Sequence, residues 1–62
     1  MKIERCYVDR PGKWEEIPGS VFIDRTEWAG YFKKGTALQA LQDTREIRTP
    51  YAIFRVAAEV QP

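Results

Sequence analysis

From Tyr51 to Val60 the sequence alternates. Ala52, Phe54, Val56, Ala58 and Val60 fall on one side, and Tyr51, Ile53, Arg55, Ala57 and Glu59 on the other. Neighbouring side chains of a strand point to opposite faces, so the segment reads as a strand with one apolar face and one mixed face. Thr49-Pro50 leads into it, and the residue before a proline is pushed toward extended backbone. An apolar sheet face has to be covered by another layer. The remainder of the chain must therefore supply both pairing strands and a cover.

It has little material to do so. With 62 residues the chain makes one domain, residues 1–62, and buries only about 60% of the surface its unfolded form exposes. Eight aromatic residues offset this, since each brings roughly 150–250 Å² to a core. Cys6 is the only cysteine, so no disulfide staples the fold from within.

Residues 2–9 are rich in strand formers toward their end. Arg10-Pro11-Gly12-Lys13 fits a type II turn, in which proline presets φ and glycine accepts a positive φ. Trp14–Ile17 then reads as a short returning strand, broken at Pro18-Gly19. Val21-Phe22-Ile23 is an apolar run that either pairs as a third strand or plugs the core.

Asp24 to Lys34 reads as a helix. Asp24 is placed to cap it, with Glu27 three residues on as in a capping box. Trp28, Tyr31 and Phe32 then share one face, and Gly35 supplies a left-handed stop. Gly30 would sit inside this helix at a cost of about 1 kcal/mol relative to alanine. A second short helix follows, capped by Thr36 with Gln39 and ending near Asp43-Thr44, with Leu38 and Leu41 as its apolar stripe. The expected fold is α+β: a small antiparallel sheet of three or four strands packed on two short helices, in the order β-β-(β)-α-α-β.

The chemistry is defined by what is missing. No histidine is present, which removes the commonest general base and metal ligand. Cys6 has no histidine partner and reads as a small buried hydrophobe. Zinc needs about four Cys or His ligands, so neither metal nor cofactor is expected. Glu15 and Glu16 are neighbours on a strand and face opposite ways. Ser20 lacks the flanking glycines of a nucleophile elbow, and the four glycines form no phosphate-cradling loop. These features imply a protein that is not an enzyme. The N-terminal residues lack the apolar run of a signal peptide, and no stretch approaches the roughly 20 apolar residues of a membrane span. A cytoplasmic location is expected, with no membrane partner.

Net charge is +1, and acidic and basic residues balance along the chain. Nucleic-acid binders usually carry a basic excess. Three groups remain as candidate partner-binding residues. Trp14 with Glu15 and Glu16 follows the tight turn and would either anchor an interface or fold under the sheet to close the core. Tyr31 is the member of the aromatic stripe best suited to a rim, because its hydroxyl wants water or a partner. Lys33, Lys34, Arg45, Arg48 and Arg55 would make a basic face if they converged.

The sequence thus points to a small non-enzymatic protein-binding module. Phages and other mobile elements make chains of this size and type to block host defence or regulatory systems. By that analogy of size and type the chain would be an inhibitor or modulator of a larger protein complex. Two alternatives stand beside it. One is a nucleic-acid-binding regulator using the Arg/Lys face. The other is a small structural subunit or homodimer, pairing through an unguarded edge of the last strand.

Overall fold

The computed structural model describes residues 1–57. Its elements are β1 (Ile3–Tyr7), β2 (Glu15–Ile17), α1 (Gly19–Ile23) running on into a π-helical turn (Asp24–Trp28), α2 (Ala37–Thr44), β3 (Glu46–Arg48) and β4 (Ala52–Val56). The strands form one antiparallel sheet in the order β2-β1-β4-β3. The helices form a layer on one face of it, so the fold is α+β, as the sequence predicts. Among the described residues, no helix is long and apolar enough to cross a membrane.

Register decides which residues meet the helices. Ile3 lies opposite Ile17 and Val56, Arg5 opposite Phe54, and Phe54 opposite Ile47. These residues share the helix-facing side of the sheet. There Ile3, Ile17, Phe22, Ala37, Leu41, Ile47, Ala52 and Phe54 form the core. At its centre the Phe22 and Phe54 rings meet edge to face with centroids 5.3 Å apart, the geometry aromatic quadrupoles prefer. The apolar side of the last strand is therefore Ala52, Phe54 and Val56, as the alternation predicts. Ala58, Glu59 and Val60 lie outside the described residues.

The first helix differs from expectation. Pro18-Gly19 does not break the chain but starts the helix, and Val21-Phe22-Ile23 is neither strand nor plug but its first turn. Pro18 holds φ −64° and ψ 152°, and its carbonyl accepts the Val21 and Phe22 amides at 3.1 and 3.2 Å. Proline suits this place because an amide there would have no helical partner anyway. Asp24 consequently caps nothing and sits in mid-helix, 3.9 Å from Arg25.

The helix ends at residue 28, six residues before Lys34. Gly30 takes φ +90°. Its amide donates to Glu27 at 3.0 Å, and the Tyr31 amide donates to Thr26 at 2.9 Å. This bond pair is a Schellman stop with glycine in its left-handed position. Gly30 therefore terminates the helix rather than weakening its interior. Tyr31 and Phe32 leave the helix before they can complete a stripe with Trp28. Phe22 and Thr26 take the inward positions instead, and Trp28 is turned out to solvent. Buried Thr26 satisfies its hydroxyl by donating to the Phe22 carbonyl at 2.7 Å.

Thr36 does not cap α2 with its side chain; its hydroxyl donates to the Lys33 carbonyl at 2.6 Å. Glu27 caps α2 from the other helix, accepting the amides of Gly35 at 2.7 Å and Ala37 at 3.0 Å. Gln39 turns outward and donates to Asp43 at 2.9 Å. After α2 the chain enters β3, a strand that the sequence reading omits. The reading's fourth strand thus lies after the helices rather than before them. Thr49 closes the β3–β4 turn, its hydroxyl accepting the Tyr51 and Ala52 amides at 3.3 and 3.1 Å.

Candidate functional site

One end of the helix-facing side is left uncovered. Three separate segments meet there: the end of β1, the Thr49–Ala52 turn and the Schellman stop after the π-turn. The Val8 amide donates to the Tyr51 carbonyl at 3.0 Å and ties the first two together. The stop at Gly30 swings Tyr31 toward them. Between them lies a cleft of about 620 Å³ with Arg5 and Phe54, Tyr7, Tyr31 and Tyr51, and Arg25 in its lining. All three tyrosines are exposed, Tyr51 to 70%, and Trp28, next to the lining residue Ala29, to 75%.

Arg5 is the unusual member. It projects from a central strand into the helix-facing side, where its side chain is only 13% exposed. One Nη2 hydrogen bond reaches Glu15 Oε1 on the edge strand at 2.7 Å. The guanidinium lies over the Tyr7 ring, 4.6 Å from its centroid. The Arg5 Nε is buried without an acceptor, and buried donors are ordinarily paired. Asp9 is the one carboxylate in the lining.

The opposite face of the sheet carries Glu4, Cys6, Ile53, Arg55, Glu46 and Arg48 by register. The 8–14 connection curls onto it, and Cys6, buried there, donates its thiol to the Arg10 carbonyl at 3.3 Å. Gly12 in that connection has φ +85°, and the Lys13 amide donates to Arg10 at 3.3 Å, as a type II turn requires. Trp14 lies half-buried with the Arg55 guanidinium 3.6 Å from its ring centroid. Arg55 Nε in turn donates to Glu4 at 2.9 Å. Trp14 therefore does not close the helix-side core. It roofs an ion pair on the other face.

The candidate residues named from sequence are thus divided. Tyr31 joins the cleft, and Glu15 reaches it through Arg5. Trp14, Arg48 and Arg55 lie on the opposite face, where Arg48 pairs with Glu46 at 3.3 Å. Glu16, opposite Glu4 in register, shares that face. Lys33 and Lys34 sit in the loop before α2, on the helix layer, not in a last helical turn. Arg45 ends α2 with φ 67°. The five basic residues do not converge on one face. Arg5, Tyr7, Arg25 and Tyr51 line the cleft, and exposed Trp28 lies beside it, without marking themselves as site residues in the sequence. The period-two spacing of Arg5 and Tyr7 was their one readable signal.

No cluster of three or more His, Cys, Asp or Glu residues suited to a metal ion occurs among the described residues. The cleft offers guanidinium and phenol donors and aromatic walls, which suit recognition. No protein-family model, no curated protein and no solved structure matches the chain.

Proposed function

We propose that the chain is a small non-enzymatic protein-binding module that presents the tyrosine cleft and Trp28 to its partner, acting as an inhibitor or modulator of a larger complex. One observation carries this reading. A domain so short needs its large side chains for its core, yet only Phe22 and Phe54 among the aromatics are fully buried, while Tyr7, Tyr31 and Tyr51 are exposed around one cleft and Trp28 is exposed next to its lining residue Ala29. Trp, Tyr and Arg are the residues that dominate binding hot spots, and this surface holds four such aromatics with Arg5 and Arg25.

The nucleic-acid alternative is weaker. Arg48 and Arg55 are each paired to a glutamate, and a phosphate chain wants unpaired cations spread along a groove. Over the described residues β4 lies between β1 and β3, so a homodimer formed by strand pairing would use β2 or β3 rather than Ala52–Val56.

Affinity capture from lysate of the cells in which the protein occurs tests the reading. The wild type should retain one stoichiometric protein after nuclease treatment, and the Trp28→Ala/Tyr51→Ala variant should lose it. Retention by the variant would move the binding surface elsewhere, and recovery abolished by nuclease would favour the nucleic-acid alternative.

A further inference from the structure

We propose that the cleft is a receptor for a single carboxylate, an aspartate or glutamate side chain that a partner protein presents beside an apolar residue; this rests on the binding-module reading above.

Three tyrosines around a cleft first suggest a cage for a cation. The lining argues otherwise. The guanidinium of Arg5 already occupies the face of Tyr7, and Arg25 brings a second fixed positive charge. Within the lining a cationic ligand would meet two guanidiniums against the one carboxylate of Asp9, with Glu15 behind Arg5 offsetting part of that charge.

The hydrogen-bond inventory points to an acceptor. An arginine has five N–H donors and no acceptor. Among the described residues Arg5 makes one side-chain hydrogen bond, from Nη2 to Glu15, which leaves the other terminal N–H groups of its guanidinium without a protein acceptor; the enclosed Nε is not one that a ligand reaches. Among the described residues the Arg25 guanidinium has one ion-pair partner, Asp24, at the long distance of 3.9 Å. Tyrosine hydroxyls around the rim add donors. An ionised carboxylate is acceptor-only and matches the guanidinium fork.

The same arrangement discriminates among anions. Glu15 already neutralises part of the Arg5 charge, and Asp9 stands in the wall. A run of phosphates would meet both acids, whereas one singly charged group can seat against the arginines. Beside that group the lining includes the apolar side chains of Val8, Ala29 and Ala52 and the aromatic ring of Tyr51. A leucine, isoleucine or phenylalanine next to the acid would cover them.

A displayed library of random linear peptides, panned on the immobilised full chain, tests this. Each round is depleted on Arg5→Gln and, separately, on Arg25→Gln. Arg25 is solvent-facing on the helix, so its variant remains informative if Arg5→Gln fails to fold. Enriched peptides should share one Asp or Glu beside a large apolar residue. Replacing that acid by its amide should weaken binding about tenfold, the loss of roughly 1.4 kcal/mol. The peptide should shift the amide resonances of Tyr7, Val8, Asp9 and Tyr51. Enrichment of basic or acid-free peptides at these same amides would overturn the carboxylate proposal and leave the binding module standing. Resonance shifts confined to the Trp14 and Arg55 face would overturn the location. A chain that enriches no peptide but binds fluorescein-labelled oligothymidine would overturn the carboxylate proposal and the module reading together, and enrichment of nothing with no oligothymidine binding would overturn the proposal alone.

Discussion

The carboxylate of Glu27, on the first helix, accepts the amide of Ala37, the first residue of the second, at 3.0 Å. Its other oxygen takes the Gly35 amide at 2.7 Å. One side chain thus fastens two helices and sets a negative charge at the amide end of α2, where the helix dipole favours it.

That arrangement predicts a pH dependence. The Gly35 and Ala37 amides hold the Glu27 carboxyl below its ordinary value, with the Thr36 amide and Lys34 adding to the effect and desolvation opposing it. A group whose pKa is lower folded than unfolded stabilises fully above the unfolded value, and the gain is lost as pH falls through the folded one. Glu27→Gln should therefore lower the Tm at neutral pH, and its gap to the wild type should close as the solution is acidified below the carboxylate range. A gap that stays constant with pH would place the effect in packing rather than charge.

Two left-handed positions give opposite expectations. Gly30 has φ +90° with open space where a Cβ would stand. Helix propensity alone says that alanine there should help. The Schellman geometry says that Gly30→Ala should destabilise by about 1–2 kcal/mol, since L-residues resist that region. Arg45 sits at φ 67° without that freedom, so Arg45→Gly should relieve about 1–2 kcal/mol of left-handed strain against roughly 0.4–1 kcal/mol of added unfolded-state entropy, a small net gain in stability. Urea unfolding of the two variants reads both signs.

Gly30 also shows where the sequence stopped being legible. The alternation over Ala52–Val56 and the Pro11-Gly12 turn are local patterns, and the structure contains them; the expected stripe of α2 holds at Leu41 only, because Ala37 takes the other inward place and Leu38 is exposed. A glycine after Trp28 is different, because it reads equally as a weak helical residue and as a stop. The choice is made by Phe22, whose place against Phe54 fixes the helix register from far away in sequence. The strand Glu46–Arg48 is too short to alternate visibly. The cleft was less legible still. Residues 7–9, 25–31 and 49–52 are far apart in sequence; the pairing of β1 with β4 joins the first and last, and the stop at Gly30 adds the second.

The aromatic residues should separate sharply on truncation. Trp28, which its spacing places on one helix face with Tyr31 and Phe32, is exposed. Trp28→Ala and Tyr51→Ala should each change stability by no more than about 0.5 kcal/mol, as surface substitutions do. Phe54→Ala and Phe22→Ala should each cost about 3–5 kcal/mol, most of the stability a domain this small holds. Circular dichroism melts suffice. A large Tm loss for Trp28→Ala would return Trp28 to the core and remove it from the proposed surface.

The Trp14–Arg55–Glu4 stack sets the last expectation. Arg55 lies 3.6 Å from the Trp14 ring centroid while its Nε bonds Glu4 at 2.9 Å. The stack lies on a sheet face that the helices leave open, and Arg55 is 40% exposed. Water therefore screens the charges, and an exposed cation–π pair contributes about 0.5–1 kcal/mol. Each single change, Trp14→Leu or Arg55→Met, also loses contacts with Glu4 or the 8–14 connection, so neither alone isolates the pair. A double-mutant cycle does. It should return a coupling of about 0.5–1 kcal/mol that persists in high salt, because the stack is held by ring and guanidinium in contact rather than by long-range charge. The same cycle run between Arg55 and Glu4 should shrink as salt rises. A Trp14–Arg55 coupling near zero would mean that the tryptophan merely rests on the sheet and is free to serve as an anchor for a partner.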